Sequence, residues 1–126
     1  MSAGYLLDTN VLSELMRPAP AEVVREWFAQ HANRAMYTSA ITQAEILTGV
    51  ALLPPGKRRD ALASAAEQMF QQDFAGHCLA FEGGAAHHYA LIVAARTRAG
   101  QPITTEDAQI AAIALAAGLP VLTRNN

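Results

Sequence analysis

One cysteine, one tryptophan, a single lysine and charged side chains at only 16% of the 126 residues narrow the possibilities before any motif is considered. The lone Cys78 excludes a disulfide framework and any zinc site built on paired cysteines, and it fits a reducing compartment. It reads as a buried strand residue. With Lys57 the only lysine and a formal net charge of −2, the chain is not one that coats nucleic acid through bulk positive charge. No stretch reaches the roughly 20 apolar residues of a membrane span, and the Met1-Ser2-Ala3-Gly4 start has neither a basic segment nor a long apolar core. The expected location is therefore cytoplasmic, with no membrane partner.

What the chain does have is apolar surface to bury, 52% of its residues, much of it alanine. That suits one domain with its own core. Tyr5-Leu6-Leu7 reads as a strand that ends abruptly in Asp8-Thr9-Asn10, after which Val11, Leu12, Leu15 and Met16 fall at helical spacing. Pro18-Ala19-Pro20 breaks that helix, because proline lacks a donor and disfavours helix in the residue before it. Residues 21–30 resume as a short amphipathic helix with Val23, Val24, Trp27 and Phe28 on one side. A second strand over 34–39 is followed by a helix through Ile46, Leu47, Val50, Leu52 and Leu53. Pro54-Pro55-Gly56 ends it, and 57–74 forms another helix with Leu62, Ala65, Ala66, Met69 and Phe70 inward. A third strand over 76–81, a helix over 83–99, a helix over 106–117 and a last strand over 121–123 complete the pattern. Strands separated by helices imply parallel pairing with right-handed crossovers. The expected fold class is α/β, a three-layer α/β/α sandwich around a mostly parallel sheet of four to five strands.

Three acids occupy comparable places in this scheme. Asp8 follows the first strand, Glu45 is expected in the first turn after the second, and Asp107 in the first turn after the loop at 101–105. Each belongs at the edge of the sheet where the strands' carboxyl ends lie, the usual ligand site of open α/β sheets. Carboxylates gathered there repel one another unless a cation neutralises them, which favours a hard divalent ion with oxygen ligands, Mg²⁺ or Mn²⁺, over zinc. Setting these three aside takes the formal charge of the remainder from −2 to +1, compatible with a polyanionic substrate. A plainer reading stands beside this one. Thr42-Gln43-Ala44-Glu45 and Thr104-Thr105-Glu106-Asp107 both have capping-box spacing, and Asp8 suits an N-cap.

Four segments together resemble the PIN-domain ribonucleases, and more narrowly the VapC toxins of bacterial type II toxin–antitoxin systems, close to their FitB-like branch. They are Leu6-Leu7-Asp8-Thr9-Asn10-Val11-Leu12-Ser13-Glu14, Ser39-Ala40-Ile41-Thr42-Gln43-Ala44-Glu45, Thr105-Glu106-Asp107-Ala108-Gln109-Ile110-Ala111-Ala112-Ile113-Ala114 and Thr123-Arg124-Asn125. They come in the family's order and span nearly the whole chain. The resemblance implies a single PIN-like domain over residues 1–126 that lacks the family's usual C-terminal strand. It implies Mg²⁺, replaceable by Mn²⁺, held by Asp8, Glu45 and Asp107, with Asn125 at a fourth position that is Asp or Asn in the family. An amide there carries no charge, which leaves a second metal open. Thr9, Asn10 and Ser39 would support the site or serve only as turn and cap residues, and Arg124 would meet a phosphate, a site carboxylate or simply solvent.

The implied reaction is metal-assisted hydrolysis of an RNA phosphodiester by water, leaving 5′-phosphate and 3′-hydroxyl ends. The implied partners are an RNA substrate, a cognate VapB-like antitoxin and a second copy of the chain in a homodimer, with a toxin–antitoxin hetero-oligomer also in view. Leu15, Met16, Trp27 and Phe28 could form the antitoxin's groove or belong to the core, and Lys57-Arg58-Arg59 could touch RNA or be a solvated helix start. His87-His88 on a helix point in different directions and do not make a shared acid–base pair. Two other classes fit less well. A phospho-receiver needs a late lysine that is missing, and an Asp-x-Asp phosphatase needs an acid where Asn10 stands. A PIN scaffold that binds a protein partner without catalysis remains the alternative function.

Overall fold

The structure, a computed structural model, describes residues 4–124. Four strands alternate with six helices: β1 Gly4–Leu7, α1 Thr9–Leu15, α2 Glu22–Gln30, β2 Ala35–Ser39, α3 Ala40–Ala51, α4 Lys57–Gln68, β3 Cys78–Leu79, α5 Gly83–Arg98, α6 Thr105–Ala117 and β4 Val121–Leu122. The sheet order is β3-β2-β1-β4, and every pair is parallel. β1 therefore runs through the middle, bonded to β2 on one side and β4 on the other, and the residue that follows it, Asp8, emerges at the centre of the carboxyl edge.

Strand alternation sorts the core into two layers. Leu7 faces a cluster with Val11, Leu12, Ile46, Ala66, Met69, Phe70 and Phe74, on the side covered by α1 to α4. Its neighbour Leu6, fully buried, faces the other way into Ala85, Ile110, Ala112, Ile113 and Ala114 under α5 and α6. Met36 and Tyr37 on β2 divide between the two layers in the same manner. The alanine-rich helices are thus explained by close helix packing, since small side chains let α5 and α6 approach each other and the sheet. Gly4 is shaped by a similar closeness: a Cβ there would lie 2.6 Å from the Ala35 carbonyl oxygen on the adjoining strand.

The expected α/β sandwich is present, with four strands among the described residues. Several details differ from the sequence pattern. Val23, Leu47 and Leu52 are exposed at 66%, 43% and 80%, and Ala65 is exposed as well, so helical spacing overstated the buried faces of α2, α3 and α4. The helix expected over 57–74 is α-helical only to Gln68 and continues as a π-helical turn, Met69–Asp73, which places Met69, Phe70 and Phe74 together in the core. Cys78 is on a strand, as expected, but half-buried rather than buried. Leu15, Met16 and Phe28 pack against the core, while Trp27 stacks on His31 at 3.9 Å and meets Tyr5 edge-on. No helix of the described residues is long and apolar enough to cross a membrane.

Candidate active site at the carboxyl ends of the strands

Asp8 leaves β1 in extended conformation and caps α1, its Oδ1 accepting from the Thr9 backbone N–H at 2.8 Å. Its second oxygen, Oδ2, accepts from the Thr123 hydroxyl at 3.0 Å. Thr123 follows β4 directly, and the Asp8 N–H donates to the Leu122 carbonyl at 2.9 Å, so the end of β4 holds Asp8 from the side opposite β2. The cap reading of Asp8 is correct, and the same carboxylate also accepts a hydroxyl from 115 residues away, which ties the start of α1 to the end of β4.

Glu45 is reached from the same turn. The Thr9 hydroxyl donates to Glu45 Oε1 at 2.7 Å and lies 2.9 Å from the hydroxyl of Thr42, which is fully buried. Thr9 has one hydroxyl hydrogen, and the carboxylate takes it, so Thr42 must be the donor to Thr9. A directed chain, Thr42 to Thr9 to Glu45, therefore sets the position of the Glu45 carboxylate. This overturns the capping-box alternative for Glu45. Ser39 is the cap of α3, its Oγ accepting from the Thr42 N–H at 3.1 Å, and Glu45 lies in the second turn, out of reach of a reciprocal cap bond.

Asp107 lies in the first turn of α6, where the Thr104 hydroxyl caps its backbone N–H at 3.1 Å. Ile41, in the first turn of α3, packs against the cluster that holds Ile110 and Ile113 of α6. The carboxylate itself is exposed and makes no hydrogen bond among the described residues. Asn125, the expected fourth ligand position, lies outside the described residues.

Among the described residues no three His, Cys, Asp or Glu side chains already converge as a cage for a metal ion. The donor chemistry nonetheless fits a hard divalent cation. The set is all oxygen, Asp8 and Glu45 keep lone pairs beyond those their hydrogen bonds use, and the exposed Asp107 can turn about its side-chain torsions. A groove of about 600 Å³ opens beside this edge, lined by Thr9, Ser13, Arg17, Glu45 and Arg58 together with apolar residues of α3 and α4. Arg58, from the basic cluster, thus faces the groove.

Glu14 was not singled out by the sequence, although it sits three residues after Val11 on the buried side of α1, a place where an acid needs partners. Only 7% exposed, it accepts the Ala21 backbone N–H at 2.8 Å and pairs with Arg124 at 2.8 Å and Arg17 at 3.3 Å. The Ala21 N–H, with help from the two arginines, holds its carboxyl below the ordinary value of 4.5. Arg124 meets a carboxylate, that of Glu14 rather than one of the three site acids, and stays one-third exposed. His87 and His88 stand edge-on at 5.9 Å on α5 and take no part.

Comparison with known proteins agrees with this architecture. The sequence profile of the PIN domain matches residues 5–126. Over 120 residues, 95% of this chain and 86% of each relative, the sequence is 43% identical to the plasmid stability protein StbB of Pseudomonas syringae pv. tomato and 42% identical to toxin FitB of Neisseria gonorrhoeae. It is 38% identical, over the same shares, to the VapC ribonuclease Y4jK of Sinorhizobium fredii. The crystal structure of FitAcB from Neisseria gonorrhoeae superposes with a TM-score of 0.86 at 42% identity, covering 96% of this chain and 87% of that one. FitAB bound to an IR36 DNA fragment gives the same TM-score at 41% identity, covering 96% and 85%.

Proposed function

We propose, from the premise that the chain belongs to the PIN-domain family, that it is a metal-dependent endoribonuclease acting as the toxin of a toxin–antitoxin pair. The reading is supported by the hydrogen bonds that draw Asp8 and Glu45 to one turn at the carboxyl end of β1, in a chain 42% identical to a toxin and 38% identical to a VapC ribonuclease. Solved assemblies of FitAB at 41% identity support a protein partner, a cognate antitoxin that neutralises this chain. The plasmid stability role in the name of StbB suits such a module.

Asp8, Glu45 and Asp107 would hold Mg²⁺, with Mn²⁺ able to replace it. Held there, such a cation would offset the charge growing on the phosphate oxygens and would lower the pKa of a nearby water. The chain's own residues do the rest. Thr123 and the Thr9 N–H fix the Asp8 carboxylate from two directions, and the Thr42–Thr9 chain aims Glu45, so neither acid need be reoriented when RNA arrives. The Asp107 carboxylate, which makes no hydrogen bond among the described residues, is the one best able to take a proton from the attacking water.

The test is incubation of labelled structured RNA with Mg²⁺, with Mn²⁺ and with chelator, comparing the chain with Glu45→Gln and Asp107→Asn prepared in parallel. Metal-dependent cutting that disappears in both variants is the expected result. Cutting that persists in them overturns the assignment, and no cutting by any form leaves the non-catalytic scaffold.

A further inference from the structure

The Glu14 cluster has more positive charge than it needs for its structural task. Glu14 ties the end of α1 to the start of α2 through the Ala21 N–H, and one guanidinium would balance its charge. Two are present. Arg124 and Arg17 each reach Glu14 through Nη1, leaving a net positive charge on the trio and most of the five donors of each guanidinium unused. The side chains of Arg17 and Arg124 are 66% and 33% exposed, against 8% for Glu14, so the acid lies beneath and the cations face outward.

Their position is equally pointed. Asn10, Ser13, Glu14, Arg17 and Arg124 line a second groove, of about 440 Å³, with no apolar residue in its wall among the described residues. Ser13 and Arg17 also line the larger groove that contains Thr9 and Glu45, so the two grooves share a ridge. Arg124 directly follows Thr123, whose hydroxyl binds Asp8. A planar guanidinium fork suits phosphate oxygens in charge and geometry.

We propose that Arg17 and Arg124, braced from beneath by Glu14, form a subsite for a backbone phosphate of the RNA strand, next to the phosphodiester that is cut. The inference rests on the ribonuclease reading above. The subsite draws the strand along the shared ridge and into register with the acids, a positioning that affects binding more than the chemical step. Asn10 and Ser13 add neutral hydrogen-bonding groups along the same wall.

The test uses the full chain and a fluorescent RNA hairpin, with Ca²⁺ in place of Mg²⁺ for binding by anisotropy and Mg²⁺ for cleavage. Arg17→Ala is the principal variant, since an exposed side chain can be removed without opening the core, and Arg98→Ala, on the exposed end of α5, controls for lost charge. Arg17→Ala is expected to weaken RNA binding about tenfold and to flatten the dependence of log affinity on log salt by about 0.7. KM should rise with kcat little changed, Arg17→Lys should recover part of the loss, and Arg98→Ala should match wild type. Wild-type cutting with Arg17→Ala indistinguishable from it overturns the subsite alone. So does loss of antitoxin binding with RNA binding intact, which would assign the arginines to the protein partner. A wild type that neither binds nor cuts RNA overturns the subsite together with the ribonuclease reading.

Discussion

Replacing Thr9 by valine should destabilise the protein more than replacing Thr42 does, and replacing both should cost less than Thr9→Val alone. The reasoning starts from the direction of the hydroxyl chain. Thr42 is fully buried and donates to Thr9, which donates to Glu45. Thr9→Val keeps the shape but strands the Thr42 hydroxyl in a dry setting, a loss of about 2 kcal/mol from within the usual 1–3 kcal/mol range for a buried unsatisfied group. Thr42→Val removes the buried hydroxyl itself and leaves Thr9, half-buried, able to find water, so the loss is about 1 kcal/mol. With both replaced, no polar group is left unpaired, and the loss returns to about 1 kcal/mol or less. The coupling between the sites is then about 2 kcal/mol, well above the few tenths expected of independent sites. Urea unfolding followed through the single Trp27 reports it directly. With a slope of about 1.5 kcal/mol/M, Thr9→Val shifts the midpoint by more than 1 M and the double variant recovers at least half of that. Additive losses, or a double variant worse than Thr9→Val, would refute the directed chain.

Other outcomes follow from the same geometry. Glu14 has a folded-state pKa held below 4.5, so it contributes stability that is fully present above that value and is lost as pH falls through the depressed one. The gap in urea midpoint between wild type and Glu14→Gln should therefore be constant near neutrality and close only at acidic pH, measured as a midpoint series across pH. Gly118 ends α6 at φ +70°, where the Gly118 and Leu119 N–H groups bond the Leu115 and Ala114 carbonyls, so Gly118→Ala should cost about 1–2 kcal/mol and lower the thermal midpoint by several degrees. Leu7→Ala, at a side chain 1% exposed between α1, α3 and the π-helical turn, should cost about 2–5 kcal/mol in the same unfolding assay. Thr123→Val removes one of the two bonds that fix the Asp8 carboxylate and should reduce metal-dependent RNA cleavage while leaving the unfolding free energy within about 1 kcal/mol of wild type.

How far the sequence could be read depended on the range of the interaction. Alternation of strand and helix, the proline breaks and the acid after β1 are local patterns, and they led to the observed sandwich. The exposure of Val23, Leu47 and Leu52 was hidden, because a helical stripe shows which residues share a face but not whether another element covers it. Glu45 was ambiguous for a related reason. Ser39 and Thr42 are both competent caps, and only the end of β2 at Ser39 decides between them, turning Thr42 inward toward Thr9. Contacts that close the site from the far end of the chain, Thr123 on Asp8 and Arg124 on Glu14, leave no periodic signature at all. The three acids could be named from their positions in the sequence, whereas the hydroxyls on Asp8 and Glu45 and the arginines on Glu14 required the fold.

The claim on which the account depends most is that Asp8, Glu45 and Asp107 act as one cation site, and counting bound Mn²⁺ by electron paramagnetic resonance tests it without relying on any RNA. Titrating Mn²⁺ into the wild type should reveal a saturable site that is lost or greatly weakened in Asp8→Asn, Glu45→Gln and Asp107→Asn alike, and that Mg²⁺ displaces. A wild type with no saturable site, or variants that bind Mn²⁺ as the wild type does, would contradict it.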